Sequence, residues 1–486
     1  MSKLPRSTPE KQGVKSQAII DFLNAVKENN QEFHSFMLVK NGHVISECWW
    51  EPYAKQYRHQ LFSLSKSFTS TAIGMAVDEG LVTVDTLLSD IFKDEFKQLG
   101  NQMDEKMSKM TVKHLLMMGT GAEYENWQGW ENNGNNILGF LQSHLKYEPG
   151  SKFFYHTLAT YMQSAVITRL TGKKLVAYLK SRLFVPLCID PVWEEDNLGI
   201  SYGGFGLNIT TEAIAKFGQL YLQKGNWKGK QLVSEKWIEE ATSKQIENGD
   251  DPNSDWAQGY GYQFWRCKPE GVYRGDGMYG QYCIVMPNEN SVIAITSNTD
   301  MPKVMDLIWD ILLPALRENN APSDDTDGYK QMKEMQKGLS HLTVSENALR
   351  FPNLRGEYKI RNKGKIDNNG TNGYERLYIE FANNECILSF YDKNTKGNRA
   401  DTVQLIKNNE WIESICNDGR HFNRCFNRCK IFGEWKKEGN GYIFSAVRWR
   451  YETPLKETLK IRFNRDKYKL TLQFDDQPVS APYIKI

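Results

Sequence analysis

The apolar residues change period near residue 320, and this limits the fold more than any other feature. Ahead of that point helical and extended patterns alternate. Residues 16–29 carry Ile19, Ile20, Phe22, Leu23 and Val26 at helical core spacing. Residues 36–39 and 44–50 read as strands around Asn41-Gly42, a strong hairpin signal. A long helix is predicted over 63–79 and stops at Gly80, and further helices over 111–118 and 159–170. Beyond Phe351 short strands dominate. Leu459, Ile461 and Phe463, then Leu470, Leu472 and Phe474, alternate with polar residues and predict a hairpin with one dry face. Repeated strands of this kind suggest a small antiparallel barrel or sandwich.

At roughly 150 residues per domain, 486 residues would suggest about three domains. The change of period reduces this to two. We expect one domain over 1–318, a polar linker over 319–344 with room for a short helix, and an all-β domain over 345–486. Apolar residues at 40% and charged residues at 25% support a sizeable core and exclude wholesale disorder. A formal net charge of +2 leaves no electrostatic footprint for nucleic acid or an anionic membrane. No run of 18 apolar residues predicts a membrane span, and the N-terminus has no apolar stretch like a secretory signal. The eight cysteines therefore read as reduced thiols, and the expected compartment is the cytoplasm.

Ser63-Leu64-Ser65-Lys66 opens the long predicted helix. Positions i and i+3 share a helical face, so the Lys66 amine can approach the Ser63 hydroxyl. A serine needs a base to become a nucleophile, and a desolvated lysine can be that base. A helix N-terminus also points backbone N–H groups at the reacting centre. The bland alternative is a capping serine beside a solvated lysine. Ser143-His144-Leu145-Lys146 has the same spacing but ends an element, so the motif alone does not decide.

Three other patterns are weaker. Gly199-Ile200-Ser201-Tyr202-Gly203 matches the nucleophile elbow G-x-S-x-G, but a glycine-rich loop follows where a helix is required. Cys416, His421, Cys425 and Cys429 could offer zinc three sulfurs and an imidazole, yet they lack the tight C-x-x-C spacing of structural sites. No metal and no cofactor is expected. The run from Tyr273 to Gln281, YRGDGMYGQ, has glycines where a substrate or another backbone could approach a strand, or where the strand simply bulges.

Taken together, these segments resemble the serine β-lactamase and penicillin-binding-protein superfamily, in its class C-like esterase, amidase and D-aminopeptidase branch. The resemblance runs from about Gly13 to Leu316. It rests on the order and spacing of HQLFSLSKSFTSTAIG, VKHLLMMGTG, EPGSKFFYHTLATYMQSAVITRLTG, LFVPLCI, GGFGLNITTEAIAKFGQLYLQKGNWKGKQLV and GDGMYGQYCIVMPNENSVIAITSN. It implies an antiparallel sheet flanked by helices, a helical subdomain, and a site at their junction. By the same resemblance Ser63 is the acylated nucleophile and Lys66 its activating amine. Tyr155 takes the second motif's tyrosine position and relays protons. Gly275-Asp276-Gly277 is the third motif, and the backbone N–H groups of Ser63 and Met278 form the oxyanion hole. Residues 345–486 resemble the small lipocalin-like barrels attached to some relatives.

Two positions depart from the family pattern. Thr157 stands where the second motif usually has Asn, and Gly275 where the third begins with Lys or His. A hydroxyl cannot offer an amide's donor and acceptor together. Without a cation at 275, β-lactam hydrolysis is expected to be weak or absent. Glu123, Glu125 and Glu131, interleaved with Tyr124, Trp127 and Trp130, could form an acidic, aromatic wall, or simply a solvated loop. The expected substrate is a small molecule or peptide, neutral or amine-bearing, bound by Trp127, Thr157, Gly275, Asp276 and Gly277. Two further readings stay open: a family member that binds without catalysis, and a chain whose ligand-binding part is the C-terminal barrel.

Overall fold

The ends of strand Glu32–Lys40 (β1) are set by their neighbours. The Asn41-Gly42 turn, with positive φ at both residues, returns the chain into His43–Trp49 (β2). A computed structural model describes residues 3–127, 134–318 and 326–342. Beyond them it describes 354–359, 374–382, 385–392, 402–407, 410–415, 428–438, 441–454, 456–464 and 469–475. The chain divides into two compact units, Met1–Trp49 with Lys55–Gly338, and Trp50–Ala54 with Leu339–Ile486.

The first unit is built on a six-stranded antiparallel sheet. Its further strands are Trp265–Arg266 (β3), Tyr273–Gly277 (β4), Gln281–Met286 (β5) and Ser291–Asn298 (β6), in the order β2-β1-β6-β5-β4-β3. Helices Ser16–Glu28 (α1) and Thr211–Leu222 (α4) flank it. Phe36 meets Phe22 of α1 with ring centroids 5.2 Å apart, while its neighbour Ser35 accepts from Thr211 Oγ1 at 2.7 Å. Adjacent strand residues point to opposite faces, so the two helices cover the two sides of the sheet. Every residue of β4, β5 and β6 is buried, as a strand covered on both faces must be.

Helices Ser65–Asp78 (α2) and Thr157–Thr171 (α3) carry the helical part of this unit. Both are buried nearly all round. Their polar residues, such as Thr160, Gln163 and Ser164, are buried with them. Helix Thr326–Lys337 (α5) lies in the segment read as a linker. It packs on α1 and bonds β2 through Gln336 Nε2, which donates to Ser46 Oγ at 2.7 Å.

In the second unit, four strands pair in sequence order: Leu354–Lys359 (β7), Tyr374–Ala382 (β8), Glu385–Asp392 (β9) and Thr402–Lys407 (β10). Five more do the same: Ile412–Ile415 (β11), Arg428–Glu438 (β12), Gly441–Arg450 (β13), Lys456–Asn464 (β14) and Lys469–Asp475 (β15). The hairpin expected from alternation is β14–β15, with Leu459 opposite Phe474 and Ile461 opposite Leu472. The segment 50–54 belongs to this unit, and Tyr53 donates to the Thr453 carbonyl at 3.1 Å. Cys416, His421 and Cys425 lie outside the described residues. Cys429, buried in β12, is disulfide-bonded, which departs from the expectation of reduced thiols throughout. Among the described residues no helix is long and apolar enough to cross a membrane, and no cluster of metal-ligating side chains occurs.

Candidate active site

Ser63 sits in a single 3-10 turn, Phe62–Leu64, that leads into α2. The turn is fixed from both sides. Leu61 N–H donates to the Leu207 carbonyl at 2.9 Å, and Ser65 Oγ donates to the Phe62 carbonyl at 2.6 Å. Phe62 holds a φ of +47°, a left-handed conformation costly for a side chain of its size and persistent only where the surroundings impose it. One turn later Lys66 is 1% exposed, with Nζ 3.1 Å from Ser63 Oγ, 2.8 Å from the Gly204 carbonyl and 3.5 Å from Thr157 Oγ1. Burial pushes its amine down to about 7, opposed by the charges of Glu125 and Asp276. A lysine so placed carries a substantial neutral fraction at neutral pH, as an unburied lysine does not.

Tyr155 closes the other side. Lys66 Nζ lies 5.0 Å from its ring centroid, and the ring stacks on Trp265 at 5.4 Å. Burial holds the phenol well above its ordinary range, Asp276 adds to the shift, and an interaction with Ser63 opposes it. Tyr155 therefore stays protonated and can donate, but it cannot serve as a phenolate base.

Strand β4 lies against the start of α2, and its glycines are there for space. A Cβ at Gly277 would fall 2.1 Å from the Leu61 carbonyl oxygen. One at Gly275 would fall 2.5 Å from Ser67 Oγ and 2.6 Å from Leu64 Cδ1. Neither position has room for a Lys or His without movement of the helix start. Asp276 is turned into the protein, where its Oδ2 accepts from Arg274 Nε at 3.0 Å and from Trp256 Nε1 at 3.1 Å. Burial raises its carboxyl above the usual range against the pull of Arg274. Met278, just beyond the strand, is 45% exposed.

The loop ahead of α3 sorts its acids differently. Glu125 caps α3, accepting from the backbone N–H of Thr157 and, at 3.0 Å, from that of Leu158. Glu123 points elsewhere and pairs with Lys146 at 2.6 Å on the surface. Trp127 packs edge-on against Phe205 and Tyr161, with centroids 6.2 and 6.4 Å away. Trp130 and Glu131 lie outside the described residues.

The weaker sequence candidates separate clearly. Ser201 is fully buried and its hydroxyl has no partner among the described residues, so no base activates it. Ser143 is buried and donates to the Gly139 carbonyl at 3.2 Å, while Lys146 points to solvent. Sequence reasoning missed the Gly204 carbonyl, which has no side chain to read; its only signal was the glycine run. It also missed Glu194, which packs on Gly206 of the same loop. Both Glu194 carboxyl oxygens are buried without a partner among the described residues, and burial pushes the group up to about 7.

A family model described as beta-lactamase matches residues 34–315, more than half of the chain. The 6-aminohexanoate-dimer hydrolase of Paenarthrobacter ureafaciens is 22% identical over 326 residues, covering 62% of this chain and 82% of that protein. Among solved structures, a putative 6-aminohexanoate-dimer hydrolase from Bacillus anthracis superposes with a TM-score of 0.54 at 20% identity, covering 65% of this chain and 88% of that one. A putative beta-lactamase from Bacteroides dorei gives 0.51 at 15% identity, covering 61% and 98%. At these identities the structural likeness speaks for the fold.

Proposed function

The chain belongs to the β-lactamase family of serine hydrolases, and from that premise we propose that it forms an acyl-enzyme on Ser63 with amide or ester substrates. One observation carries the reading: a buried Lys66 amine, its pKa pushed down to about 7, lies 3.1 Å from the Ser63 hydroxyl. Lys66 takes the Ser63 proton as Oγ bonds to the substrate carbonyl carbon. The carbonyl oxygen, now an oxyanion, is held by the backbone N–H groups of Ser63 and Met278. As the bond to the leaving group breaks, Tyr155 gives its phenolic proton to the departing nitrogen or oxygen, and the Lys66 proton replaces it. Water or an acceptor then attacks the acyl carbon, and the same groups return the proton to Ser63.

The site favours a neutral or amine-bearing substrate over a β-lactam. Gly275 supplies no cation for a carboxylate, Asp276 is occupied by Arg274, and Glu125 adds negative charge near the pair. Trp127 and Thr157 would line the cleft. Thr157 and Gly275 also favour a second reading, a family member that binds without turnover.

The barrel remains part of the proposal. An isolated bridge, Lys407 with Glu410, joins the end of β10 to the chain entering β11, which supports one continuous meander of the nine described strands. We assign it to a separate all-β domain from about residue 345, with ligand binding as its candidate role.

The test is turnover of p-nitrophenyl acetate and of a penicillin by the full chain and by Ser63→Ala. Ester turnover lost in the variant, with little penicillin turnover in either, is expected. Rapid penicillin hydrolysis would refute the substrate preference, and no turnover or labelling at all would favour the binding protein.

A further inference from the structure

We infer that Glu125 is a positioning residue for the Ser63–Lys66 pair, fixing the turn on which Lys66 rests and setting the electrostatic environment of its amine. The inference rests on the hydrolase reading only for the task given to that pair.

The first N–H groups of a helix have no partner inside it, and a carboxylate there also meets the positive end of the helix dipole. Glu125 supplies such a carboxylate to α3, with one oxygen on Thr157 N–H and the other on Leu158 N–H. Thr157 is also the residue that touches the pair. Its Oγ1 is 3.5 Å from Lys66 Nζ, and its methyl group and carbonyl lie against Gly204, whose own carbonyl holds the amine at 2.8 Å. A movement of Glu125 is therefore passed through Thr157 and Gly204 to the lysine. Trp127, packed on Phe205, anchors the loop to that same glycine-rich segment.

The charges around Lys66 single out Glu125. Facing the amine are the Tyr155 ring, Ser63, Thr157 and the Gly204 carbonyl, none of them ionised. His156 beside them is buried, its Nδ1 2.9 Å from Thr120 Oγ1 and its Nε2 3.8 Å from Glu125. Burial lowers that imidazole's pKa and keeps it neutral at neutral pH. Two acids act on Lys66. Asp276 is neutralised by Arg274. Among the described residues Glu125 has no lysine or arginine partner, and the helix N–H groups it caps offset its charge only in part, so the rest acts on the amine. It holds Lys66 closer to neutral pH than burial alone would, keeping the amine a stronger base.

The experiment follows the pH titration of the Lys66 side chain by NMR in the full-length, 13C-lysine-labelled protein, its signal assigned by loss in Lys66→Arg. Glu125→Gln keeps an acceptor for the helix and should fold. We expect it to lower the midpoint by about 1 pH unit. Trp127→Ala, which frees the loop without removing the charge, should move it the same way by less. A residue that only caps the helix would lower thermal stability and leave the midpoint in place. That result in both variants overturns the inference. The titration reads Lys66 whether or not an ester is turned over, so absence of Ser63 acylation would count against the hydrolase reading and not against this one.

Discussion

Lys66 Nζ lies 3.1 Å from Ser63 Oγ, one helical turn apart, on a side chain almost wholly removed from water. The short separation would let a proton pass directly in the proposed reaction, and the burial lowers the amine's hold on a proton of its own. These two facts tie a local sequence spacing to a long-range packing result, since the burial comes from Tyr155 and Gly204, distant in the chain.

The first prediction is a pH profile. With its pKa near 7, Lys66 is a base above that pH and an ammonium below it. The rate of Ser63 modification by a fluorophosphonate should fall about tenfold per pH unit below the midpoint. A rate constant that stays flat from pH 5 to 9 would show that Lys66 is not the base.

Gly277→Ala should damage catalysis more than folding. The added Cβ meets the Leu61 carbonyl at 2.1 Å, so β4 must move away from the turn that carries Ser63. Loss of one oxyanion donor costs about 10²–10³ in kcat, while the overpacking costs about 1–3 kcal/mol in stability. Gly229→Ala, at a left-handed glycine with open space around it, strains the backbone without a close contact and is the control for a stability loss away from the site. Equal activity in the two variants would count against the close approach.

The Ser63–Lys66 pair was legible in the sequence because both residues sit on one helical turn and need no knowledge of the fold. Tyr155 and Gly277 were legible only through the order of segments in the family resemblance, because nothing local marks them. The acidic loop shows where reading stops. Glu123 and Glu125 are two residues apart and chemically alike, yet one pairs with surface Lys146 and the other caps α3. That choice is made by tertiary packing. In the same way Ser143 and Ser201 matched motifs and lost their roles to burial. The β14–β15 hairpin was legible because strand alternation is local, whereas the Trp50–Ala54 segment of the second unit carries no sequence sign of its destination.

Tyr155→Phe should discriminate by leaving group. The phenol stays protonated, so the work proposed for it is donation to a leaving atom. Hydrolysis of an amide or alkyl ester should drop about 10²–10⁴-fold, and that of a p-nitrophenyl ester, whose leaving group departs unprotonated, by far less. Equal losses on both substrates would contradict the donor role.

Glu194 should make stability depend on pH. Its folded carboxyl, at about 7, binds a proton more tightly than the unfolded one near 4.5. The folded state thus holds more protons between those values, and stability falls as pH rises through that window. The full effect is about 3 kcal/mol above pH 7 and nil below pH 4. Glu194→Gln should remove this contribution, gaining on the wild type in urea denaturation at pH 8 and not at pH 4. A constant difference at both pH values would contradict it.

The central claim is that Ser63 is the acylated residue. Peptide mass spectrometry after fluorophosphonate treatment of the full chain tests it most directly. The account predicts one adduct, on the peptide containing Ser63, absent from Ser63→Ala and unchanged in Ser201→Ala. An adduct on Ser201, or on any serine that survives Ser63→Ala, would contradict it.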